Sequence, residues 1–338
     1  MMQDVYKKVQ TPFKYGLVMM APGPYQKIDG PGIFRRGDAW FMVYTIYDRT
    51  GQETWLAQSS DLLTWRVKSK VLTSLADSSW DGTHKAGTVA LQDLTWDGTY
   101  QWEKYNNRYW LSYAGGNTRS TETATYSAGI AYSYQDPSIN HPWIRVDKPV
   151  LTPSDAGTLK AENNSIYRGF VLRDNQQFTG HPFLMYYNAK GDSLSAGGSG
   201  NIGLAVSDDM VRWQRYGNEP VIVHNAGMAG NPSIVKIDNL YVMFYNSIKP
   251  EDDKGARSAS RFACSYDLIN WTDWKGQPLI KPSEVYDNLY TRNSTIIHYK
   301  GVVYHFYCAL NNKDQQGIAV ATSVDLGKSK MAFVPTGF

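Results

Sequence analysis

Cysteine is almost missing from this chain: among 338 residues there are two, Cys264 and Cys308, each inside an apolar run. That excludes a disulfide framework and makes both thiols small buried hydrophobes. No apolar run approaches the roughly 18 residues that a membrane-spanning helix needs, so no membrane partner is expected. Charge of one sign is missing as well. The 34 basic and 31 acidic residues are interspersed and leave a net charge of +3, which gives no field to draw in nucleic acid. The six histidines are scattered without metal-ligand spacing, and neither a metal nor another cofactor is expected. The first residues, Met1-Met2-Gln3-Asp4-Val5-Tyr6-Lys7-Lys8, hold no apolar core of a secretion signal. The sequence leaves the compartment open, periplasm or exterior if a leader was trimmed away and cytoplasm otherwise. Oligomeric state leaves no mark in the sequence.

What the chain has in excess is aromatic rings, 14% of residues with 24 Tyr and 11 Trp, and it has them in a repeat. The motif Ser-x-Asp-(Leu/Met)-x-x-Trp occurs at Ser59 to Trp65, Ser207 to Trp213 and Ser265 to Trp271, with weaker copies at Ser133 to Asp136 and Ser323 to Leu326. Each copy is a polar turn that follows a short run of small and apolar residues, such as Ile202-Gly203-Leu204-Ala205-Val206. Upstream of each copy lie two more strand-like runs. The first runs begin at Asp29-Gly30-Pro31-Gly32-Ile33, Lys85-Ala86-Gly87-Thr88-Val89, Glu162-Asn163-Asn164-Ser165-Ile166, Gly230-Asn231-Pro232-Ser233-Ile234 and Arg292-Asn293-Ser294-Thr295-Ile296. The second are aromatic and end at Tyr44, Tyr113, Tyr187, Tyr245 and Tyr307.

Five matched units of roughly 55 to 80 residues predict an all-β, five-bladed β-propeller with blades of about four antiparallel strands. Residues 1–338 then form a single domain. Two β-sandwiches would not need five matched copies. In a propeller the innermost strand of each blade aims its first residues into a central funnel. Asp29, Lys85, Glu162, Asn231 and Arg292 are therefore expected to meet there, with Asn163 and Asn293 beside them. Gly198-Ser199-Gly200-Asn201-Ile202-Gly203 has the letters of a dinucleotide fingerprint but leads into a strand rather than a helix, and is rejected.

Asp29 and Glu162 are the two acids at the strand starts. Cleaving a glycosidic bond takes such a pair, one carboxylic acid to protonate the leaving oxygen and one carboxylate to activate water or attack directly. Taken singly, Asp29 is also what a turn before Gly-Pro-Gly uses; equivalence to Glu162 in the repeat is what points to chemistry. Lys85 and Arg292 hold the same positions on the second and fifth blades. Either they bind a carboxylate, phosphate or sugar hydroxyl, or they only form ion pairs with Asp29 and Glu162, and the sequence leaves both readings open. Trp80-Asp81-Gly82-Thr83-His84 precedes an inner strand and is expected to overhang the funnel. That makes Asp81 a further acid and His84 a proton shuttle, unless both are solvated loop residues. Trp55, Trp80 and Trp110 are candidates for stacking on sugar rings, whereas Trp65, Trp213 and Trp271 belong to blade packing.

At these residues the chain resembles the five-bladed propeller glycosidases, the superfamily of glycoside hydrolase families 43, 32, 62, 68 and 130, and family 43 in particular, over nearly its whole length. The resemblance implies an exo-acting, inverting hydrolase that takes an oligosaccharide or glycoside and releases a terminal sugar from a plant or host polysaccharide. Arabinofuranosides, xylosides and galactosides are the substrates that family habit suggests. It implies Asp29 as general base and Glu162 as general acid, with Lys85, Arg292, Asn163, Asn231, Asn293, Trp80, Asp81 and His84 around the substrate. Lys85 stands where family 43 has a second-blade Asp that orients the acid, and Asp81 or Asp93 would have to replace it. Two further readings stay open. One is a family 130-like phosphorylase that uses Lys85 and Arg292 for phosphate; the other is a propeller that binds glycans without cleaving them.

Overall fold

The structure is a computed structural model that describes residues 1–23, 25–74, 78–118, 124–191, 200–223, 227–248 and 258–334. Residues 198 and 199 of the rejected glycine motif lie outside this set; the strand expected after them is present. The chain opens with a short helix, α1 (Met2–Val9), and a strand, β1 (Phe13–Met20). Blade 1 then runs outward through β2 (Lys27–Arg36), β3 (Ala39–Asp48), β4 (Gly51–Ser59) and β5 (Trp65–Leu72). Blade 2 consists of β6 (His84–Ala90), β8 (Arg108–Gly116), β9 (Ser127–Ser133) and β10 (Ile144–Arg145), with the short β7 (Lys104–Tyr105) beside β8. Blade 3 consists of β11 (Ser165–Arg173), β12 (Phe183–Lys190), β13 (Asn201–Ser207) and β14 (Gln214–Arg215). Blade 4 consists of β15 (Met228–Ile237), β16 (Leu240–Ile248), β17 (Ala259–Ser265) and β18 (Thr272–Asp273).

Blade 5 has three strands of its own, β19 (Tyr290–Tyr299), β20 (Val302–Leu310) and β21 (Gln316–Thr322), and takes β1 as its outermost strand. The N-terminal strand thus completes the last blade and ties the ring shut. The inner strands β2, β6, β11, β15 and β19 each touch the next, and β19 touches β2. This is a five-bladed β-propeller.

The aromatic second strands fill the space between blades. Tyr44, Tyr113, Tyr187, Tyr245 and Tyr307 are all buried, as are Trp40, Trp110, Phe183, Phe244 and Phe306; each such side chain contributes roughly 1.5–3 kcal/mol by leaving water. The repeated turn is built by its polar letters. Ser59 Oγ accepts from the Leu62 N–H at 2.9 Å, and Asp61 Oδ1 accepts from the N–H groups of Leu63 and Thr64 at 2.9 and 2.7 Å. These bonds force Leu62 into the left-handed region at φ 67°, and Met210 and Leu268 sit there in the other two full copies. All three side chains are buried, which offsets a strain of roughly 1–2 kcal/mol.

The insertion between β6 and β7 lies across the lower end of the central channel. The Gln92 amide donates to the Ile33 carbonyl at 2.6 Å, Trp96 N–H to the Lys236 carbonyl at 2.8 Å, and the Tyr100 hydroxyl to the His298 carbonyl at 3.0 Å. Blades 1, 4 and 5 are thereby closed from below. The cavity left along the axis is lined by all five inner strands.

Candidate active site

Four of the five inner strands carry a β-bulge at one place. The ladder skips between Asp29 and Gly32, Tyr167 and Phe170, Gly230 and Ser233, and Arg292 and Thr295. Two residues there oppose one tyrosine, namely Tyr44, Tyr187, Tyr245 or Tyr307. The first bulged residue is left-handed every time: Gly30 at φ 70°, Arg168 at 51°, Asn231 at 55° and Asn293 at 59°. Glycine and asparagine accept this region readily; an arginine held there costs about 1 kcal/mol or more. A bulge re-aims side chains, and these turn toward the axis, where Arg168, Asn231 and Asn293 line the channel. Only β6 pairs without a skip.

The residue just before the bulge is Asp29, Tyr167, Gly230 or Arg292, and Ala86 holds the corresponding register on β6. Asp29 is the one carboxylate among the five. It is 8% exposed. The Asn293 amide and the Cys308 thiol both donate to its Oδ1, the thiol at 2.7 Å, and the Gly30 N–H donates to the Cys308 sulfur at 3.2 Å. Burial by itself would raise the Asp29 carboxyl. The Arg168 and Arg292 guanidiniums and the bonds from Cys308 and Asn293 bring it below its ordinary value instead. Asp29 is therefore ionised at neutral pH, with its hydrogen-bond donors gathered on Oδ1.

Arg168 crosses the axis from blade 3 to blade 1 and lies against Gly30. It makes no hydrogen bond or ion pair to any described residue, and its Nε is buried without a partner. Arg292 makes one long bond, from Nη2 to Gln316 Oε1 at 3.3 Å, and its Nε is likewise buried and unpartnered. Gln316 also accepts from the Tyr47 hydroxyl at 3.0 Å and donates to the Ile28 carbonyl at 2.8 Å. On the far wall Asn188 donates to Asn231 Oδ1 at 2.8 Å, and Asn231 donates to Asn246 Oδ1 at 2.6 Å.

The structure thus brings Asp29, Asn231, Arg292 and Asn293 to one place, and places the other expected residues elsewhere. Glu162 is fully buried in blade 3. Its Oε2 accepts from the Tyr187 hydroxyl at 2.6 Å, its Oε1 accepts from the Leu159 N–H at 3.1 Å, and Arg215 pairs with it. The same arrangement recurs on two other blades. Asp81 accepts from the Tyr113 hydroxyl at 2.8 Å and pairs with Arg145; Asp287 accepts from the Tyr307 hydroxyl at 2.9 Å and pairs with Lys14 at 2.5 Å. Each acid lies three residues before its inner strand. Glu162 is therefore equivalent to Asp81 and Asp287 rather than to Asp29, and the three act as fasteners that tie an inner strand to the second and fourth strands of its blade.

Lys85 is buried and donates to the carbonyls of Asp81 and Gly82 at 2.6 and 3.3 Å. It pairs one register position before Ala86, and a slip of one residue puts a side chain on the opposite face of a strand. Asp81, fully buried, does not overhang the funnel. His84 is also buried, its Nε2 lies 2.5 Å from the Thr118 carbonyl, and burial lowers its pKa, so it is neutral and shielded behind Tyr126. Trp80 stacks on Tyr113 at 5.7 Å, Trp110 is buried in blade 2, Trp55 lies under Lys70, and Asn163 is exposed on the surface. Asp93 closes its own turn on Thr95 and Thr99 at the lower end of the channel and cannot stand in for a second-blade acid. Arg168 and Cys308 were not anticipated as site residues. Gly30, Asn231 and Asn293 each lie 14 residues before the tyrosine they oppose, whereas the longer connection between β11 and β12 puts Arg168 19 residues before Tyr187, so a fixed count misses it.

No family profile matches the chain, and no curated protein sequence matches it. Among solved structures, one described as a glycoside hydrolase is 40% identical over 100% of this chain and 98% of its own, with a TM-score of 0.95. Another, a complex of BT0996 with RGII, is 40% identical over 98% of this chain and 97% of its own, with a TM-score of 0.93. A thermostable family-43 glycoside hydrolase shares the fold at a TM-score of 0.62 and 16% identity, over 93% of this chain and 96% of its own.

Proposed function

The chain is a member of the glycoside hydrolases, and on that premise we propose that it releases a terminal sugar by inverting hydrolysis, in which Asp29 as general base takes a proton from the attacking water while the leaving oxygen takes its proton from solvent. The observation that carries this reading is the isolation of Asp29. It is the one carboxylate at the five converging strand positions, it is held ionised, and its hydrogen-bond donors sit on Oδ1, which leaves Oδ2 for an incoming water. A base must be deprotonated at working pH and within reach of the water it activates; the lowered pKa of Asp29 supports the first condition and its Oδ2, which accepts no hydrogen bond from a described residue, supports the second. Asn231, Asn293 and Arg292 are the substrate contacts in this reading. Glu162, enclosed by Tyr187, Leu159 and Arg215, is a fastener of blade 3 rather than the leaving-group acid.

The complex formed by the 40%-identical relative makes an RGII glycan the first substrate to try. Phosphorolysis is a second reading, favoured by the two guanidiniums beside Asp29. Sugar release from RGII and from a panel of aryl glycosides, with and without phosphate, separates the two. Release without phosphate, giving a product whose first-formed anomer is opposite to the substrate's, supports the hydrolase. Release that requires phosphate supports phosphorolysis, and binding without release contradicts both.

A further inference from the structure

The two guanidiniums above Asp29 exceed what Asp29 needs. Neither Arg168 nor Arg292 is in ion-pair contact with its carboxylate, and two positive charges face one negative charge. Both Nε groups are buried with no acceptor, and Arg168 makes no hydrogen bond to any described residue. A buried donor left unmade costs about 1–3 kcal/mol, and more when charged. Arg168 adds the strain of a left-handed backbone at φ 51°. Unmet charged donors that gather where the inner strands converge are satisfied by a ligand that brings acceptors and negative charge.

We propose that Arg168 and Arg292 form an oxyanion subsite that recognises the carboxylate of an acidic sugar, so that the glycan taken here carries a uronate at or next to the bond that is cut. This deepens the hydrolase reading and rests on it for the position of the cut bond. A guanidinium presents a planar fork that a carboxylate fills with two parallel bonds, whereas a sugar hydroxyl offers a single neutral acceptor. The arginines come from opposite walls, blades 3 and 5, so a carboxylate between them would be gripped from two sides. Gly30, with no side chain, leaves the space that Arg168 occupies.

The test is calorimetric titration of the full chain with galacturonate and glucuronate, against galactose and glucose, with inorganic phosphate as a separate arm. Each uronate should bind roughly 10- to 100-fold more tightly than its neutral counterpart. Arg168→Gln and Arg292→Gln should each erase the preference. Should either variant fail to fold, Arg168→Lys and Arg292→Lys keep the charge, remove the fork, and should still weaken the preference. Equal binding of neutral and acidic sugars, no uronate binding, or a preference that survives the substitutions would overturn the proposal. So would phosphate binding that no uronate displaces, which would assign the subsite to free phosphate. Cleavage of neutral aryl glycosides is followed in parallel. Turnover without a uronate preference sinks the subsite and leaves the hydrolase standing; uronate preference without turnover of any glycoside does the reverse.

Discussion

Arg168 and Gly30 meet across the funnel with no space between them: a Cβ added to Gly30 would lie 1.2 Å from the Nη2 of Arg168. Gly30 also sits at φ 70°, where a side chain is strained whatever the room. Two residues 138 positions apart in sequence are therefore locked to each other's size, and through them blades 1 and 3.

Gly30→Ala tests that contact. The substitution should displace Arg168 and cost about 1–2 kcal/mol of backbone strain, so that kcat/KM falls by roughly tenfold or more while the propeller still folds. Steady-state sugar release and a circular dichroism spectrum check it. A variant with parental kcat/KM would show that Arg168 has no role in turnover.

Cys308 tests the positioning of Asp29. Its thiol is one of two donors on Oδ1, and donation to the charged form of a carboxylate lowers its pKa. Cys308→Ala should move the acidic limb of the kcat/KM profile to higher pH, and Cys308→Ser, which keeps a donor, should restore it. A limb that stays in place in Cys308→Ala would remove Cys308 from the account.

His305 sets part of the acid stability. It is fully buried beside Ser294 and Ser260, and burial lowers its pKa to about 3. An unfolded histidine titrates near 6.5, so the unfolded state takes up the extra proton between these values and stability falls as pH drops through that window. Denaturant midpoints measured from pH 7 to pH 3 should decline, and the decline should flatten in His305→Gln. An equal slope in the variant would place the acid lability elsewhere.

The blades were legible because three of them are closed by the same polar turn and two by weaker copies of it, and the Ser-x-Asp turn ending on Trp takes one conformation at all three places. Strand alternation and buried tyrosines did the rest. The site was less legible. Aligning Asp29, Lys85 and Glu162 by the start of an apolar run ignores the bulges, which add a residue to four inner strands and none to β6. Lys85 therefore fell one register position from the axis and onto a buried face. Glu162 was separated from its true counterparts because Asp81 and Asp287 precede their strands by the same three residues, a spacing visible in the sequence but hidden by pairing Glu162 with Asp29. Arg168 passed unnoticed because nothing in Tyr167-Arg168-Gly169 marks a left-handed residue. Cys308 passed because an apolar run makes a thiol look inert.

The central claim is that Asp29 reacts and Glu162 fastens, and the most direct measurement compares Asp29→Asn with Glu162→Gln in sugar release and thermal melting together. Asp29→Asn should lose a factor of about 10² or more in kcat/KM and melt close to the parent. Glu162→Gln should leave Arg215 paired only with Asp155 and weaken the Tyr187 bond, lose roughly 1–3 kcal/mol of stability and melt a few degrees lower, while the folded fraction keeps turning over. A Glu162→Gln protein that melts like the parent but is inactive, or an Asp29→Asn protein that turns over at the parental rate, would contradict the account.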